Sequence, residues 1–416
     1  MTEPVPPQAA APERSSLLAS LAAVTIVLYV AGSPFYITGS LTAGDVWMLV
    51  AVAGVLLSDA AVAAVLRLLH GSYGTIALVI SAAVLAATLN AGNVPRALSF
   101  DGQFLFTLWL VIPLVAAGIA ELPDPFRLLR LFGWAYLAFY GVGLVLLFGV
   151  GSEAILSQAA VGRVFQRFTT HIFQLSLMAL GMAGVAFGTR NRLTYMVLLA
   201  LSVIPVLLNA NRTGLASFAL LGVLAVAGTA RSARGLLAVL TGAALLVGLG
   251  NAIVNSSVVQ DLWQIRLLNA AGLLEDQVRV TAIEASLAAI RRSALTLLFG
   301  AGWGSSGSEI VVHNFVIQVA HEGGVFVLLA VTALFVLPVA WVLRAPYGDR
   351  MTRQFVLMLT GVLVLFWSLN ALVVERPYWL TYAVALGLAH RMRLGRLGAE
   401  VAPVTPGGLA PTTAPP

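Results

Sequence analysis

The sequence predicts an all-α, polytopic integral membrane protein with about twelve transmembrane helices and one large outward loop, and three observations predict it. Of its 416 residues, 60% are hydrophobic and only 10% are charged, where a soluble domain carries roughly 25% charged residues. Apolar runs near the length of about 20 residues that a helix needs to cross the hydrocarbon core recur along the whole chain. The charges that remain sit mostly in the connections between these runs, where they report topology.

The first run, Ser16 to Ile37, follows a Pro/Ala-rich tail (1–15) without a basic segment and without a small-residue cleavage site, so it reads as an uncleaved first helix behind a disordered tail. Further spans are Val46 to Leu66, Thr75 to Ala91, Phe104 to Ala120, Leu131 to Val150, His171 to Gly188, Thr194 to Leu208, Gly214 to Gly228, Leu236 to Val254, Asn314 to Leu343, Phe355 to Val374 and Trp379 to His390. Spans one to nine thus occupy 16–254, the outward loop 255–313 and spans ten to twelve 314–397. The tail 398–416, rich in Pro, Ala, Thr and Gly, is too poor in large apolar side chains to pack and reads as disordered.

All 23 basic residues are arginine, and the formal charge is +6. A nucleic-acid surface needs these cations clustered on a soluble face; here they stand singly or in small groups between apolar runs, so no nucleic-acid partner is expected. With an even number of spans both termini share one side. Placing them in the cytoplasm puts 14 arginines on inner segments and 9 on outer ones, the inner segments being shorter, as the positive-inside rule requires. The chain has no cysteine, which excludes disulfides, thiolate metal sites and cysteine nucleophiles.

The loop from Asn255 to His313 is the longest departure from the bilayer. Its run Leu262 to Leu268 has the mixture of a short interfacial helix. Gln277 to Arg292 reads as a second helix, with Glu275 and Asp276 at its start and Arg291 and Arg292 at its end, matching the helix dipole. Phe299 to Gly307 (FGAGWGSSG) reads as a flexible loop; no strand precedes it, so its glycine spacing is not a nucleotide fingerprint.

Four features carry candidate chemistry. His313 stands where the loop re-enters the membrane, and imidazole is a side chain able to accept a proton near neutral pH; helix capping is its structural alternative. His321 and Glu322 follow about 12 to 13 Å further along at 1.5 Å per residue, a depth at which ionisable groups are costly and face wet cavities or partners. Asp59, within the second span, reads as a carboxylate satisfied by neighbouring hydroxyls. Finally, arginines on the outer face have no topological reason to be there. Arg212 occupies a tight outward turn, Asn209-Ala210-Asn211-Arg212-Thr213-Gly214, and a guanidinium held at headgroup depth binds phosphate oxygens bidentately. Arg96, and Arg376 beside Glu375, read as headgroup contacts or salt bridges.

Taken together, the Asn-Arg-Thr-Gly turn at Arg212, the arginine Arg279 on a helix that leads to Phe-Gly-x-Gly at Phe299 to Gly302, and the helix start HNFVIQVAHEGG at His313 resemble the O-antigen ligase and O-antigen polymerase family of bacterial polytopic glycosyltransferases. The resemblance covers roughly Arg163 to Trp341. It implies an inner-membrane enzyme that works at the periplasmic face without cofactor or metal. Arg212 and Arg279 would bind an undecaprenyl pyrophosphate-linked glycan donor, and His313 would serve as general base. The tryptophan that usually follows the second arginine is absent, and Arg266 is an alternative counterpart of Arg279. Arg163, Arg167, Asn314, His321 and Glu322 are secondary candidates. A single dominant late loop resembles ligases, which transfer the glycan to lipid A-core, more than polymerases, which join lipid-linked repeats. A secondary transporter would also have twelve spans and an intramembrane acid, but would more often show two related halves, and none is evident.

Overall fold

The computed structural model describes residues 17–32, 36–38, 41–131, 134, 233–255, 270–304, 314–345, 350–369 and 376–395. The expected spans between Leu131 and Gly228 lie almost entirely outside these residues, as do both tails and the Leu262 to Leu268 run. The described residues are helical apart from one short antiparallel pair, β1 (Tyr36–Thr38) with β2 (Leu41–Thr42). Among the described residues three helical stretches are long and apolar enough to cross a membrane: Ser72–Leu89, Val94–Glu121 and Gly324–Arg344. Their composition is that of a membrane protein.

Helix α1 (Leu17–Gly32) stops short of the expected Ile37, because Tyr36–Thr38 turns back to pair with Leu41–Thr42. The second expected span is broken. Helix α2 (Ala43–Leu56) and helix α3 (Asp59–Leu69) meet at 106°, because Ser58 caps α3 by accepting from the Ala61 N–H. Asp59 is therefore an exposed first-turn residue of α3, where its charge complements the helix dipole. Hydroxyls do not shelter it within a span. The run of apolar residues concealed an N-cap.

Helix α4 (Ser72–Leu89) matches its expected span closely. At about 1.5 Å per residue it separates the two ends of the bundle by roughly 27 Å. The next crossing begins ten residues earlier than expected. Helix α5 (Val94–Phe106), capped by Asn93 with Pro95 in its first turn, continues through a π-turn (Thr107–Val111) into helix α6 (Ile112–Glu121). Tyr73 donates to the Leu108 carbonyl within that turn. Every residue of α6 from Ile112 to Ala120 is buried. Small residues permit this: a Cβ at Gly118 would stand 2.3 Å from Ala22 Cβ of α1, the close backbone approach typical of membrane helices.

After the undescribed region come helix α7 (Ala233–Val254), helix α8 (Ala270–Arg292) and helix α9 (Ala294–Phe299). The expected Gln277 to Arg292 helix exists but begins earlier, so Glu275 and Asp276 lie inside α8 and not at its start. The expected tenth span divides at Gly323-Gly324 into helix α10 (Phe315–Glu322) and helix α11 (Gly324–Arg344). Helix α12 (Arg350–Leu369) and helix α13 (Arg376–Arg393) close the bundle. A Cβ at Gly387 of α13 would lie 2.6 Å from the Ala116 carbonyl of α6, so this contact also depends on a missing side chain. The core centres on Trp379 of α13, whose ring touches Phe104, Phe315, Phe335, Tyr378 and Tyr382.

Candidate functional site

A cluster of buried polar side chains lies at the α9–α10 end of the bundle, where the glycine-rich segment Phe299 to Gly304 meets the end of α10. Of the expected loop Phe299 to Gly307, the part to Gly304 is described and is held by backbone hydrogen bonds, and 305–307 lie outside the described residues. Gly300, Gly302 and Gly304 have φ of 78°, 85° and 74°, left-handed values that glycine adopts without steric cost. The Ala301 N–H donates to the His321 carbonyl at 2.8 Å and the Gly302 N–H to the Glu322 carbonyl at 3.0 Å, so the segment caps the last turn of α10. On its other side Asn90 Nδ2 donates to the Gly300 carbonyl at 2.5 Å, and Trp303 packs on Phe104 with ring centroids 5.9 Å apart. The segment is wedged between the α4–α5 corner and α10.

Glycine is required for this fit. A Cβ at Gly300 would meet the Glu322 carbonyl oxygen at 2.2 Å, and one at Gly324 (φ 77°) would meet the Leu298 carbonyl oxygen at 2.4 Å. The two glycines interlock, and backbone atoms stand where the side chains would be. Near Gly304, Arg96 Nε lies 3.0 Å from the Cβ position, so the stem of this exposed arginine lies along the segment.

His321 and Glu322 end α10 and are buried. Gln318 Nε2 donates to Glu322 Oε2 at 3.2 Å, one helical turn apart. The expected continuous span would have placed these residues partway along a membrane helix; the Gly323-Gly324 break instead leaves them on a short helix ahead of the apolar span α11. Burial holds the His321 imidazole below its ordinary value, because desolvation disfavours the cation. Among the described residues, His321 Nδ1, Gln318 Oε1, Trp303 Nε1 and Asp101 Oδ1 are all buried without a hydrogen-bond partner, and all four belong to the segment or to the elements flanking it.

Asn314 supplies the N-cap of α10, accepting from the Ile317 N–H at 3.1 Å. Arg279 lies on α8, which packs against α10. His313, Arg212, Arg266, Arg163 and Arg167 lie outside the described residues. Sequence reasoning missed Asp101. It sits in α5 two turns from the helix start, buried, with Thr88 of α4 donating to its Oδ2; the only signal was an isolated acid ahead of a long apolar run. Among the described residues no group of three or more His, Asp or Glu could hold a metal.

No protein-family model and no curated protein matches this chain. The chemistry of the site therefore rests on its own residues.

Proposed function

We propose that this protein is an O-antigen ligase of the bacterial inner membrane, transferring a glycan from undecaprenyl pyrophosphate to lipid A-core at the periplasmic face. In this reading the chain makes twelve crossings, with α11 as the tenth and both termini cytoplasmic. The observation that carries it is the order of three motifs on one topological side: the Arg212 turn, the helix bearing Arg279, and the helix that starts after His313. Two features of the fold support it. The helix bearing Arg279 packs on α10, and α10 is fixed at one end by the Asn314 cap and at the other by the glycine-rich segment. His313 directly precedes that cap in sequence.

His313 takes the proton from an acceptor sugar hydroxyl as its oxygen bonds to the anomeric carbon of the donor glycan. The bond from that carbon to the pyrophosphate oxygen breaks, and the electron pair leaves with the lipid pyrophosphate. Arg212 and Arg279, or Arg266 in its place, stabilise the charge that grows on the leaving group. Permanent guanidinium charges supply the neutralisation that a divalent ion provides in other transferases.

Deleting the gene and resolving lipopolysaccharide on a gel tests this. Complete loss of O-chain with intact core is the expected result; core bearing a single repeat would identify a polymerase, and an unchanged ladder would exclude both. His313→Ala and Arg212→Ala in a complemented strain should each abolish transfer while the protein still inserts. Retained ligation in either variant removes that residue from the mechanism.

A further inference from the structure

Two buried side chains meet at the α4–α5 corner, Thr88 of α4 and Asp101 of α5, and Trp303 of the glycine-rich segment is buried against Phe104 of the same α5. Asp101 and Phe104 are one helical turn apart on the same face of α5, and Phe104 touches the Trp303 ring. A Cβ on Gly302, next to Trp303, would meet Ala91 Cβ at 2.2 Å and the Ala87 carbonyl at 3.2 Å, which places the segment directly against the α4 turn that carries Thr88. The relative exposures are 4% for Thr88, 2% for Asp101 and 3% for Trp303. Thr88 donates to Asp101 Oδ2, yet Oδ1 of the same carboxyl and Nε1 of Trp303 have no hydrogen-bond partner among the described residues.

These two orphans are complementary: one is an acceptor and the other a donor. An unmet buried polar group costs about 1 to 3 kcal/mol, and exposures of 4% or less keep bulk solvent from relieving it. From this geometry we infer that the corner binds one water molecule, which donates to Asp101 Oδ1 and accepts from Trp303 Nε1. A water has both roles at once and needs two to four polar partners to reside in an interior. A cation does not fit, because the indole N–H presents positive charge to the site and only two side chains offer oxygen. A sugar hydroxyl does not fit either, because residues exposed by 4% or less leave no passage for the ring attached to it. The water ties the glycine-rich segment to the α4–α5 corner, joining elements nearly 200 residues apart in sequence. It requires neither donor nor acceptor glycan, and stands independently of the ligase reading.

The test is solution NMR on the full chain in lipid nanodiscs, labelled with ¹⁵N at the tryptophan indoles and with no glycan added. Trp303→Phe identifies the Trp303 indole signal by its disappearance. The expected result is a cross-peak between that indole proton and a long-lived water, lost in Asp101→Leu while the other indole signals stay in place. Absence of the cross-peak in the native protein overturns the inference, whether or not any variant folds. So does a cross-peak that survives in a folded Asp101→Leu protein, since the water would then be held by other groups.

Discussion

The two ends of α4 are built on opposite principles. At one end, Arg391 of α13 is buried and donates to the backbone carbonyls of Leu122 and Pro123, the latter at 3.0 Å. Arg393 lies 5.1 Å over the Trp341 ring and His390 packs on the same ring at 5.5 Å, while Arg67 pairs with Glu121 at 3.5 Å. Arginines there satisfy carbonyls at the end of α6 and fasten the last helix to the bundle. At the other end, backbone groups pair with each other across the glycine-rich segment. The first arrangement is a latch. The second holds its frame through backbone contacts that only glycine permits.

Alanine substitution at left-handed glycines should separate the two ends most sharply. Gly324→Ala adds a Cβ 2.4 Å from the Leu298 carbonyl in addition to its positive φ, and no flexible side chain can yield there. A loss of about 4 kcal/mol is expected, combining the left-handed strain with a backbone clash. Gly395, just past α13, has the same kind of φ, 72°, with nothing within 4 Å of its Cβ position. Gly395→Ala should cost only about 1 kcal/mol. Thermal unfolding of both variants in the same detergent measures the gap; equal losses would mean that strain alone, not the interlock, defines the α9–α10 end.

Next in size is the latch itself. Arg391→Met keeps the apolar stem but removes the donors to Leu122 and Pro123. Hydrogen bonds from a charged group contribute about 1.5 to 3 kcal/mol each, and the lower figure applies here because Leu122 is half-buried and Pro123 exposed. A loss of roughly 3 kcal/mol in unfolding free energy follows. Protease sensitivity should rise first at α13, which trypsin digestion followed by mass spectrometry would reveal.

The pattern of what the sequence disclosed follows from where the energy lies. Apolar content alone located α4, α12 and α13 to within a few residues at most ends, since lipid rewards length and hydropathy directly. It located the breaks badly. Ser58 and Gly323-Gly324 interrupt runs whose average hydropathy hardly changes, yet a cap at one and a left-handed glycine at the other stop the helix. Asp101 was hidden for the converse reason. Arg96, Ser99, Asp101 and Gln103 make 94–103 look like a loop, but pairing with α4 buries Asp101 against Thr88 instead of exposing it to lipid. Arg212, Arg266 and His313 lie outside the described residues, and only their motif order speaks for them.

His321 offers a smaller and pH-dependent contrast. Burial depresses its folded-state value below 6.5. The unfolded chain therefore binds a proton that the folded protein resists as pH falls below 6.5. Stability should be level above that pH and decline below it, by at most about 1.4 kcal/mol per pH unit for one proton. His321→Gln should flatten the decline between pH 6.5 and 5; an unchanged slope would assign the acid sensitivity to another group.

The smallest expected effect concerns the start of α10. Asn314 Oδ1 accepts from the Ile317 N–H at 3.1 Å, meeting one of the first-turn donors that an α-helix cannot satisfy internally. Asn314→Ala should cost about 1 kcal/mol, and Asn314→Ser, which retains an acceptor, should recover most of it. In the ligase reading the same residue holds the helix start next to His313. Ligation measured in membranes should then fall in Asn314→Ala and return in Asn314→Ser, in step with stability. A variant that keeps its stability but loses transfer would separate the roles, showing that the Asn314 amide meets the glycan and does more than cap a helix.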